Sequence, residues 1–310
     1  MIEEKGDIVH LILGGHGFIG SAFSRRLKTQ GADHTCVSRQ HCDYYQCENL
    51  INLIRETGAD FLINAAGYTG RPNVDGCESN KGECLLGNAV LPSVVRKACE
   101  IAETPWVHVS SGCIFNGSRP DGNGFTESDT PNFCFRSPPC SFYSGTKALG
   151  EECLEGCENV YIMRLRIPFD CFDSERNYLS KLMRYNRLLD VRNSITHLPE
   201  YVEACLLALS RRIAFGTYNV TNGGSITTRE VTELIKQKLN VTREFDFFRD
   251  EQEFLHTAVQ APRSSCVLDN TKLLDTGITM QSAQVAINEA LGAWSTRRME
   301  TVDRQKIDQQ

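Results

Sequence analysis

The sequence predicts an α/β protein: a doubly wound parallel sheet with helices on both faces, followed by a smaller and discontinuous C-terminal lobe. Three observations predict it. An apolar run near the N-terminus stops abruptly in a cluster of glycines. Apolar runs of strand length then alternate with amphipathic helical segments as far as Pro168, and such alternation is typical of a parallel sheet. Beyond Pro168 the alternation breaks down, which predicts a separate lobe.

The first strand leads into a glycine-rich loop. The apolar run at residues 8–13 is followed by the pattern G-x-x-G-x-x-G and by the helical segment SAFSRRLKTQ. Glycine lets the backbone approach a pyrophosphate, and the amides that open the helix supply unpaired donors. Such a pattern also serves plain turns, but its place between a strand and a helix favours a Rossmann dinucleotide site. The predicted cofactor loop comprises Gly14, Gly17, Phe18, Ile19 and Gly20.

The second and third strands predict further contacts with the cofactor. HTCVSR ends in Ser38 and Arg39, where dinucleotide folds place a carboxylate for the ribose 2′-hydroxyl of NAD. A small polar residue with an arginine suits a 2′-phosphate instead, so these residues favour NADP(H), with a solvated surface arginine as the alternative. ADFLINAAG ends in Ala65, Ala66 and Gly67, which are small enough for the chain to lie against the cofactor.

The fourth strand points to the site of chemistry. TPWVHVSSGCIF is a continuous apolar run with Ser111 and Cys113 at its end, and the ligands of open parallel sheets gather at the carboxyl ends of strands. Residues 116–141 are rich in Gly, Pro, Ser, Asn and Asp, which predicts a long functional loop. The next segment, FYSGTKALGEECLE, is predicted to be a helix with Tyr143 and Lys147 on one face.

Ser111, Tyr143 and Lys147 form the sharpest constellation in the sequence. A tyrosine can protonate a ketone oxygen during hydride transfer if its pKa is lowered, and a neighbouring ammonium lowers it by favouring the phenolate. A serine hydroxyl would hold the same carbonyl. A Tyr-x-x-x-Lys pair alone is more often an exposed helical pair, but behind a glycine-rich loop and a serine-ended strand it indicates a reductase site.

The remaining elements complete the division of the chain. Strands are predicted over VYIMRLRIPF and FGTYNVTN, and helices near residues 200–211, over SITTREVTELIKQKL with Thr227 or Thr228 as cap, and near residues 282–294. The predicted domains are an NADP-binding Rossmann domain at 1–167 with 195–225 returning to it, a substrate lobe at 168–194 and 226–296, and a flexible tail at 297–310.

Composition narrows the class of protein. The chain has 310 residues, enough for one large domain with a smaller lobe. A net charge of −6 argues against a nucleic-acid groove or an anionic membrane as partner. Neither a membrane-spanning run nor a signal peptide is evident, so we expect a cytoplasmic protein. Fourteen cysteines are scattered without a CxxC pair or a zinc-type Cys/His spacing, which predicts reduced thiols and no metal site.

Several segments carry a resemblance to a known family: residues 62–81 (LINAAGYTGRPNVDGCESNK), 107–115 (VHVSSGCIF) and 141–152 (SFYSGTKALGEE). They resemble the nucleotide-rhamnose synthase branch of the extended short-chain dehydrogenases/reductases, the 3,5-epimerase/4-reductases related to dTDP-4-dehydrorhamnose reductase. APRSSCVLDNTKL at residues 261–273 resembles the substrate-lobe motif of that reductase. Two departures lie in loops expected to flank the sugar: Gly76 stands where the plant pattern has tryptophan, and the stretch FCFRSPPC is longer than usual.

The resemblance implies roles for individual residues. Ser111, Tyr143 and Lys147 would be the reductase triad, and Tyr143 and Lys147 would also bind the cofactor. Gly112 and Cys113 replace the Asp-Glu pair of the related 4,6-dehydratases. In epimerase-reductases a cysteine at this place acts in C3 and C5 epimerisation, and a 4-keto group acidifies the adjacent C–H bonds. A strand cysteine that is merely buried is the alternative.

The same resemblance implies contacts with a nucleotide-sugar substrate. YLSKLMRYNR matches the RYN-containing segment of the rhamnose synthases, which makes Lys181 the candidate acid that returns the proton, or else a phosphate contact. Thr69, Asn73 and Arg263 fall in the matching segments and are expected to bind the nucleotide sugar.

The sequence therefore predicts an NADP-dependent enzyme that epimerises C3 and C5 of a nucleotide-linked 4-keto-6-deoxyhexose and reduces C4, giving UDP- or dTDP-L-rhamnose. One alternative is a 4-ketoreductase or single-site epimerase/reductase acting on another deoxysugar nucleotide. Another is a non-catalytic regulatory subunit of the same fold. Four retained residues argue against it: Ser111, Cys113, Tyr143 and Lys147. Family analogy suggests a homodimer through the helix that carries Tyr143. The nucleotide (UDP, dTDP or GDP) and the number of carbons epimerised stay open.

Overall fold

The computed structural model describes residues 8–294. The strands in this range are β1 (His10–Leu13), β2 (His34–Val37), β3 (Phe61–Asn64), β4 (Trp106–Ser111), β5 (Val160–Leu165), β6 (Pro168–Phe169), β7 (Arg187–Leu188), β8 (Arg192–Asn193), β9 (Thr196–His197), β10 (Gly216–Asn219), β11 (Ile226–Thr227) and β12 (Asp246–Phe247). The helices are α1 (Phe18–Gln30), α2 (Cys47–Thr57), α3 (Gly76–Ser79), α4 (Lys81–Leu85), α5 (Leu91–Ile101), α6 (Phe142–Glu152), α7 (Tyr178–Arg184), α8 (Leu198–Arg211), α9 (Thr228–Leu239), α10 (Glu251–Thr257), α11 (Thr271–Leu274) and α12 (Ala283–Gly292). A π-helical turn, Leu86–Val90, joins α4 to α5, and a 3-10 turn, Gly112–Ile114, follows β4.

Six strands in the described part of the chain form one parallel sheet with the order β2-β1-β3-β4-β5-β10. β1 lies between β2 and β3, so the chain leaves β1 towards one edge and then crosses to the other side. A crevice opens outside the carboxyl ends of the strands where the direction of winding reverses, and ligands bind there. The predicted α/β class with a doubly wound parallel sheet is confirmed.

Helices cover both faces of this sheet because neighbouring residues of a strand point to opposite sides. In β1, Ile12 belongs to a buried cluster with Phe23 of α1 and Tyr201 of α8. Its neighbour Leu11 belongs to a second cluster, with Val95 of α5. Burial on both sides explains why the strands read as continuous apolar runs.

A third buried cluster holds together the segments that the sequence assigns to the smaller lobe. It joins α7, α9 and α12 through Leu179, Val231 and Ile287. The side chain of Thr227, one of the two predicted caps, accepts a hydrogen bond from the first turn of α9 and completes a capping box. The domain boundaries stay a prediction, and the predicted flexible tail at residues 297–310 lies outside the described residues.

The long loop predicted at residues 116–141 contains no helix or ladder strand, but isolated bridges fasten it to the C-terminal part of the chain. Gly117 pairs with Cys266, and Phe125 pairs with Leu268. The loop therefore reaches α6 along a fixed path between the end of β4 and the smaller lobe.

One predicted helix is shorter in the structure. The sequence predicts a helix over residues 142–155, but α6 ends at Glu152. The amide of Leu154 donates to the carbonyl of Glu151, and Gly156 then reverses the chain with a φ of 74°. None of the helices within residues 8–294 is long and apolar enough to cross a lipid bilayer.

Candidate active site

The turn after β1 brings backbone segments into close contact. Gly14 has a φ of 73°, and a Cβ atom there would lie 2.7 Å from the Cα atom of Ala66, just beyond β3. A Cβ atom on Gly20 would overlap the carbonyl oxygen of Gly14. Gly17 caps α1 without a side-chain hydrogen bond to the first amides, so donors at the positive end of the helix dipole stay open. This cradle fits a dinucleotide pyrophosphate.

A pocket adjoins this turn at the switch point of the sheet. The predicted cofactor residues on its wall are Gly14, Gly17, Arg39, Ala65, Ala66 and Gly67. Tyr45 and Glu83 line the wall beside Arg39, and sequence reasoning missed both. The guanidinium of Arg39 lies 5.6 Å from the ring centroid of Tyr45, and its Nη1 atom is 3.9 Å from the Glu83 carboxylate. The arginine is thus held at the rim of the pocket.

The other predicted cofactor residues lie beside the pocket rather than on its wall. Phe18 and Ile19 pack against the buried cluster that contains Phe23 of α1. The hydroxyl of Ser38 is hydrogen-bonded to Nδ1 of His41 at 2.7 Å. Ser38 is therefore hydrogen-bonded to a residue of its own loop.

The predicted catalytic residues Ser111, Cys113, Tyr143 and Lys147 come together where α6 packs against the end of β4 and the 3-10 turn. The backbone amide of Cys113 donates to Ser111 Oγ at 3.2 Å. Nζ of Lys147 donates to the carbonyl oxygen of Val109 at 3.0 Å. Ser111, Cys113 and Lys147 are buried, while Tyr143 is half-buried. The fold thus gathers a hydroxyl, a thiol, a phenol and an ammonium in one place.

Burial raises the pKa of Tyr143 well above its usual value, and the charge of a Cys113 thiolate would raise it further. A hydrogen bond with the Ser111 hydroxyl opposes that rise. The lowered pKa that the sequence predicts for Tyr143 is not found, because burial outweighs the effects of its neighbours, and the Lys147 ammonium donates to the Val109 carbonyl. The phenol is therefore protonated, which is the form that can donate a proton to a ketone oxygen.

Burial also raises the pKa of the Cys113 thiol, and several groups around it act in the opposite direction. The hydroxyls of Ser111 and Ser144 lower this pKa by hydrogen bonding, while the positive charges of Arg166 and Lys147 lower it across space. The thiol is protonated at rest but is surrounded by groups that favour the thiolate. Such surroundings suit a base.

A buried ion pair lies behind the catalytic helix. Glu151 of α6 and Arg164 of β5 are 2.6 Å apart, with side chains 10% and 5% exposed. The Ser110 hydroxyl also donates to Glu151, at 2.5 Å. Burial lowers the pKa of Lys147, and the negative charge of Glu151 raises it. The pair therefore fastens α6 to the sheet, and its carboxylate favours the charged form of Lys147.

On the lobe side, α7 places Lys181 near the positive charges of Arg176 and Arg263. Burial, together with those charges, lowers the pKa of Lys181 to about 8. Arg263 is 2.7 Å from the carboxylate of Asp75 and 3.5 Å from the side-chain oxygen of Asn73. The structure thus brings the predicted residues Asn73, Lys181 and Arg263 into one cluster, together with Asp75.

The loop after β3 shapes the space between the pocket and this cluster. Thr69 is exposed and precedes Gly70, whose carbonyl accepts a hydrogen bond from Arg176 at 2.8 Å. A Cβ atom on Gly76 would lie 2.7 Å from the backbone of Arg71. This loop conformation therefore has no room for the tryptophan of the plant pattern.

Residues 9–295 match the family model of the RmlD substrate binding domain. The chain belongs to this family. A bifunctional dTDP-4-dehydrorhamnose 3,5-epimerase/dTDP-4-dehydrorhamnose reductase of Arabidopsis thaliana is 34% identical over 268 residues, which are 85% of each chain. The crystal structure of the L780 UDP-rhamnose synthase from Acanthamoeba polyphaga mimivirus is similar with a TM-score of 0.85 and 24% identity, over 93% of this chain and 100% of that one. A dTDP-4-dehydrorhamnose reductase of Bacillus anthracis in complex with NADP gives a TM-score of 0.77 and 19% identity, over 92% and 97%.

Membership of the RmlD substrate binding domain family confirms the resemblance carried by the motifs, and the match covers both the sheet and the lobe. Residues of the site that sequence reasoning missed include Tyr44, Tyr45, Asp75, Glu83, Ser144, Glu151, Arg164 and Arg166. Asp75 and Ser144 stand beside Asn73 and Tyr143 in segments already singled out, so proximity in sequence was an available signal. No signal in the sequence pointed to Arg166, because only the fold brings it near Cys113.

Proposed function

We propose that this protein converts a nucleotide-linked 4-keto-6-deoxyhexose into the L-rhamnose sugar nucleotide by epimerisation at C3 and C5 and NADPH-dependent reduction at C4. The observation that carries the proposal is a reductase triad joined to a thiol. Ser111 accepts from the amide of Cys113 at 3.2 Å, and its hydroxyl lies close enough to Tyr143 to lower the pKa of that phenol. One group of atoms can therefore hold a C4 ketone and remove a proton from the carbon beside it. The names of the Arabidopsis and mimivirus relatives support this reaction.

NADP(H) is the cofactor proposed for the pocket beside β1. Gly14, Gly17 and Gly20 leave room for a pyrophosphate at the start of α1. Arg39 at the rim, with Ser38 beside it, would bind the 2′-phosphate. When bound, the cofactor supplies the hydride that reduces C4.

Epimerisation follows from the groups around the ketone. The hydroxyls of Ser111 and Tyr143 donate to O4 of the substrate. The Cys113 thiolate takes the proton from C3 or C5, and the electron pair of the broken C–H bond moves to O4, where the two hydroxyls stabilise the enolate. The ammonium of Lys181 returns a proton to the opposite face, which inverts the carbon. With a pKa of about 8, Lys181 can give that proton and regain one from solvent near neutral pH.

Reduction uses the triad. As C4 accepts the hydride, the Tyr143 phenol gives its proton to O4, and the ketone becomes an alcohol. The raised pKa of Tyr143 keeps that proton in place beforehand. Lys147 stabilises the phenolate left behind. Thr69, Asn73 and Arg263 are proposed to bind the nucleotide sugar, with Arg263 as the contact for its phosphates.

The deciding experiment supplies UDP- and dTDP-4-keto-6-deoxyglucose with NADPH in separate reactions. We expect loss of NADPH absorbance and an L-rhamnose product by NMR, with one nucleotide preferred. Cys113→Ser should abolish product formation from the unepimerised substrate, and full turnover by that variant would contradict the two-step reaction.

The same assay separates the alternatives. A D-configured product would indicate a 4-ketoreductase acting on another deoxysugar nucleotide, and inversion at one carbon would indicate a single-site epimerase/reductase. No turnover, together with copurification of a larger partner enzyme, would favour a regulatory subunit.

We also propose that the protein works in the cytoplasm as a homodimer. All fourteen cysteines are free thiols, which suits a reducing compartment.

Val90 and Ile101, at the two ends of α5, are nearly half exposed, as is Phe135, whose ring packs against Phe142 of α6. Exposed apolar side chains along α5 and beside the start of α6 favour a subunit contact on these helices. Light scattering should give twice the chain mass, and Ile101→Glu should halve it; a monomeric wild-type protein would contradict the proposal.

A further inference from the structure

Arg166 is a buried cation that the proposed reaction leaves without a role. It follows β5, is 7% exposed, and donates to the Asn193 side-chain oxygen at 3.2 and 2.7 Å and to the Ser264 carbonyl at 2.5 Å. Within residues 8–294 no carboxylate lies within 4.0 Å of its guanidinium, and its Nη1 atom makes no hydrogen bond to the described residues. A buried charge without a counter-charge is costly, so a group that benefits from this charge should lie close to it.

The register of the sheet places Arg166 beside the thiol-bearing turn. β4 and β5 pair Ser111 with Leu165, so the next residues along the two strands, Gly112 and Arg166, are neighbours. A Cβ atom on Gly112 would lie 3.6 Å from Cδ of Arg166. The guanidinium therefore lies alongside the turn that carries Cys113.

The partners of Arg166 also hold this turn. Asn193 accepts from the amide of Cys266 at 2.9 Å, and the Cys266 thiol donates to the carbonyl of Gly112 at 3.2 Å. The Ser264 hydroxyl donates to the carbonyl of Phe115 at 2.5 Å, just beyond the turn. One hydrogen-bonded frame thus runs from the guanidinium to both ends of the segment around Cys113.

We propose that Arg166 is a positioning residue for the epimerisation step: it holds the turn that carries Cys113 and stabilises the thiolate that removes the substrate proton. This proposal rests on the proposed function. The other titratable groups that face the thiol are Tyr143 and Lys147 of α6 and Cys140 of the preceding loop. Lys147 also favours the thiolate across space, but its ammonium donates to the Val109 carbonyl, and Arg166 has the larger effect of the two cations on the pKa of Cys113. A guanidinium also stays charged at every working pH.

The test separates proton removal from hydride transfer. Solvent deuterium entering C3 and C5 of the 4-keto substrate without reductant measures the first, and NADPH oxidation by the already epimerised 4-keto-L-rhamnose nucleotide measures the second. Arg166→Gln keeps a donor for Ser264 and removes the charge. Because an opposite charge at close range shifts a pKa by about one unit or more, the ratio of exchange to reduction should fall about tenfold, and Arg166→Lys should restore most of it. Arg96→Gln is the matched control, since Arg96 also donates to backbone carbonyls but lies on α5.

A second measurement does not depend on turnover. The rate at which iodoacetamide alkylates Cys113, followed by peptide mass spectrometry across pH, should shift its midpoint upward in Arg166→Gln by about one unit and stay unchanged in Arg96→Gln. An equal fall of exchange and reduction, or an unshifted alkylation midpoint, would overturn the proposal. If the wild-type protein exchanges no deuterium, the proposed function fails, while the alkylation midpoint still decides whether Arg166 acts on Cys113.

Discussion

The guanidinium of Arg263 and the carboxylate of Asp75 form an ion pair, with 2.7 Å between Nη2 and Oδ2. Asp75 lies in the loop after β3, and its other oxygen accepts from the amide of Gln260 at 3.1 Å. One carboxylate therefore fixes the C-terminal segment at two points and orients the arginine that we propose as a substrate contact.

Asp75→Asn should raise the KM for the nucleotide sugar about fivefold and change kcat less than about twofold, because a partly exposed ion pair of this kind contributes about 1 kcal/mol. Steady-state kinetics measures both constants. Glu203→Gln is the control, since it removes an exposed pair with Arg26 on the far helices α1 and α8. An unchanged KM in Asp75→Asn would show that the pair does not orient Arg263.

The pH dependence of epimerisation follows from Cys113 and Lys181. The pKa of the thiol is raised and that of Lys181 is lowered to about 8, whereas the step needs a thiolate and an ammonium together. Deuterium exchange should therefore rise with pH up to about 8, level off, and fall above the pKa of Cys113. Lys181→Arg keeps its charge, so its exchange should go on rising to the pKa of the thiol without a later fall. The same pH profile in the wild-type protein and in Lys181→Arg would show that Lys181 is not the acid in epimerisation.

Arg39→Ala should raise the KM for NADPH at least about tenfold, because a charge-assisted contact with a 2′-phosphate is lost. The KM for NADH should change little, since NADH lacks that phosphate. Both KM values are measured on the same variant, so the value for NADH serves as the control for the value for NADPH. Equal effects on both would mean that Arg39 only closes the rim of the pocket with Tyr45.

Gly20→Ala should raise the dissociation constant for NADPH at least about tenfold, because the added Cβ atom displaces the Gly14 carbonyl and with it the turn that faces the pyrophosphate. Calorimetric titration measures the constant. Gly31→Ala is the control: it ends α1 with a φ of 68° and has open space around it, so it should lower stability by about 1 kcal/mol and leave binding unchanged. Equal binding by the two variants would count against the pyrophosphate cradle.

Glu151→Gln should lower the free energy of unfolding by about 3–5 kcal/mol, because it leaves the buried guanidinium of Arg164 without its counter-charge. Its neighbour provides a matched control. Glu152 pairs with Arg136, whose side chain is 78% exposed, so Glu152→Gln should lower the free energy of unfolding far less. Urea denaturation gives both values, and similar losses would show that burial of the pair does not govern its contribution.

Sequence reasoning recovers features that local spacing determines. The spacing of the glycines after β1 is enough to predict the tight turn there. Helical periodicity is enough to place Tyr143 and Lys147 on one face. It cannot give the direction of a side chain or the extent of its burial, so it did not predict that Lys147 donates to Val109 or that burial raises the pKa of Tyr143. Arg166 was out of reach for a further reason: its nearness to Cys113 depends on the pairing register of two strands.

The bridges from Gly117 to Cys266 and from Phe125 to Leu268 affect the order in which the chain can fold during synthesis. The ribosome releases the chain from its N-terminus, so the dinucleotide half can fold well before residues 265–268 emerge from the exit tunnel. The turn that carries Cys113 cannot complete its contacts until that later segment has emerged. A nascent chain can therefore form its cofactor cradle first and completes the surroundings of Cys113 only after residues 265–268 have left the ribosome.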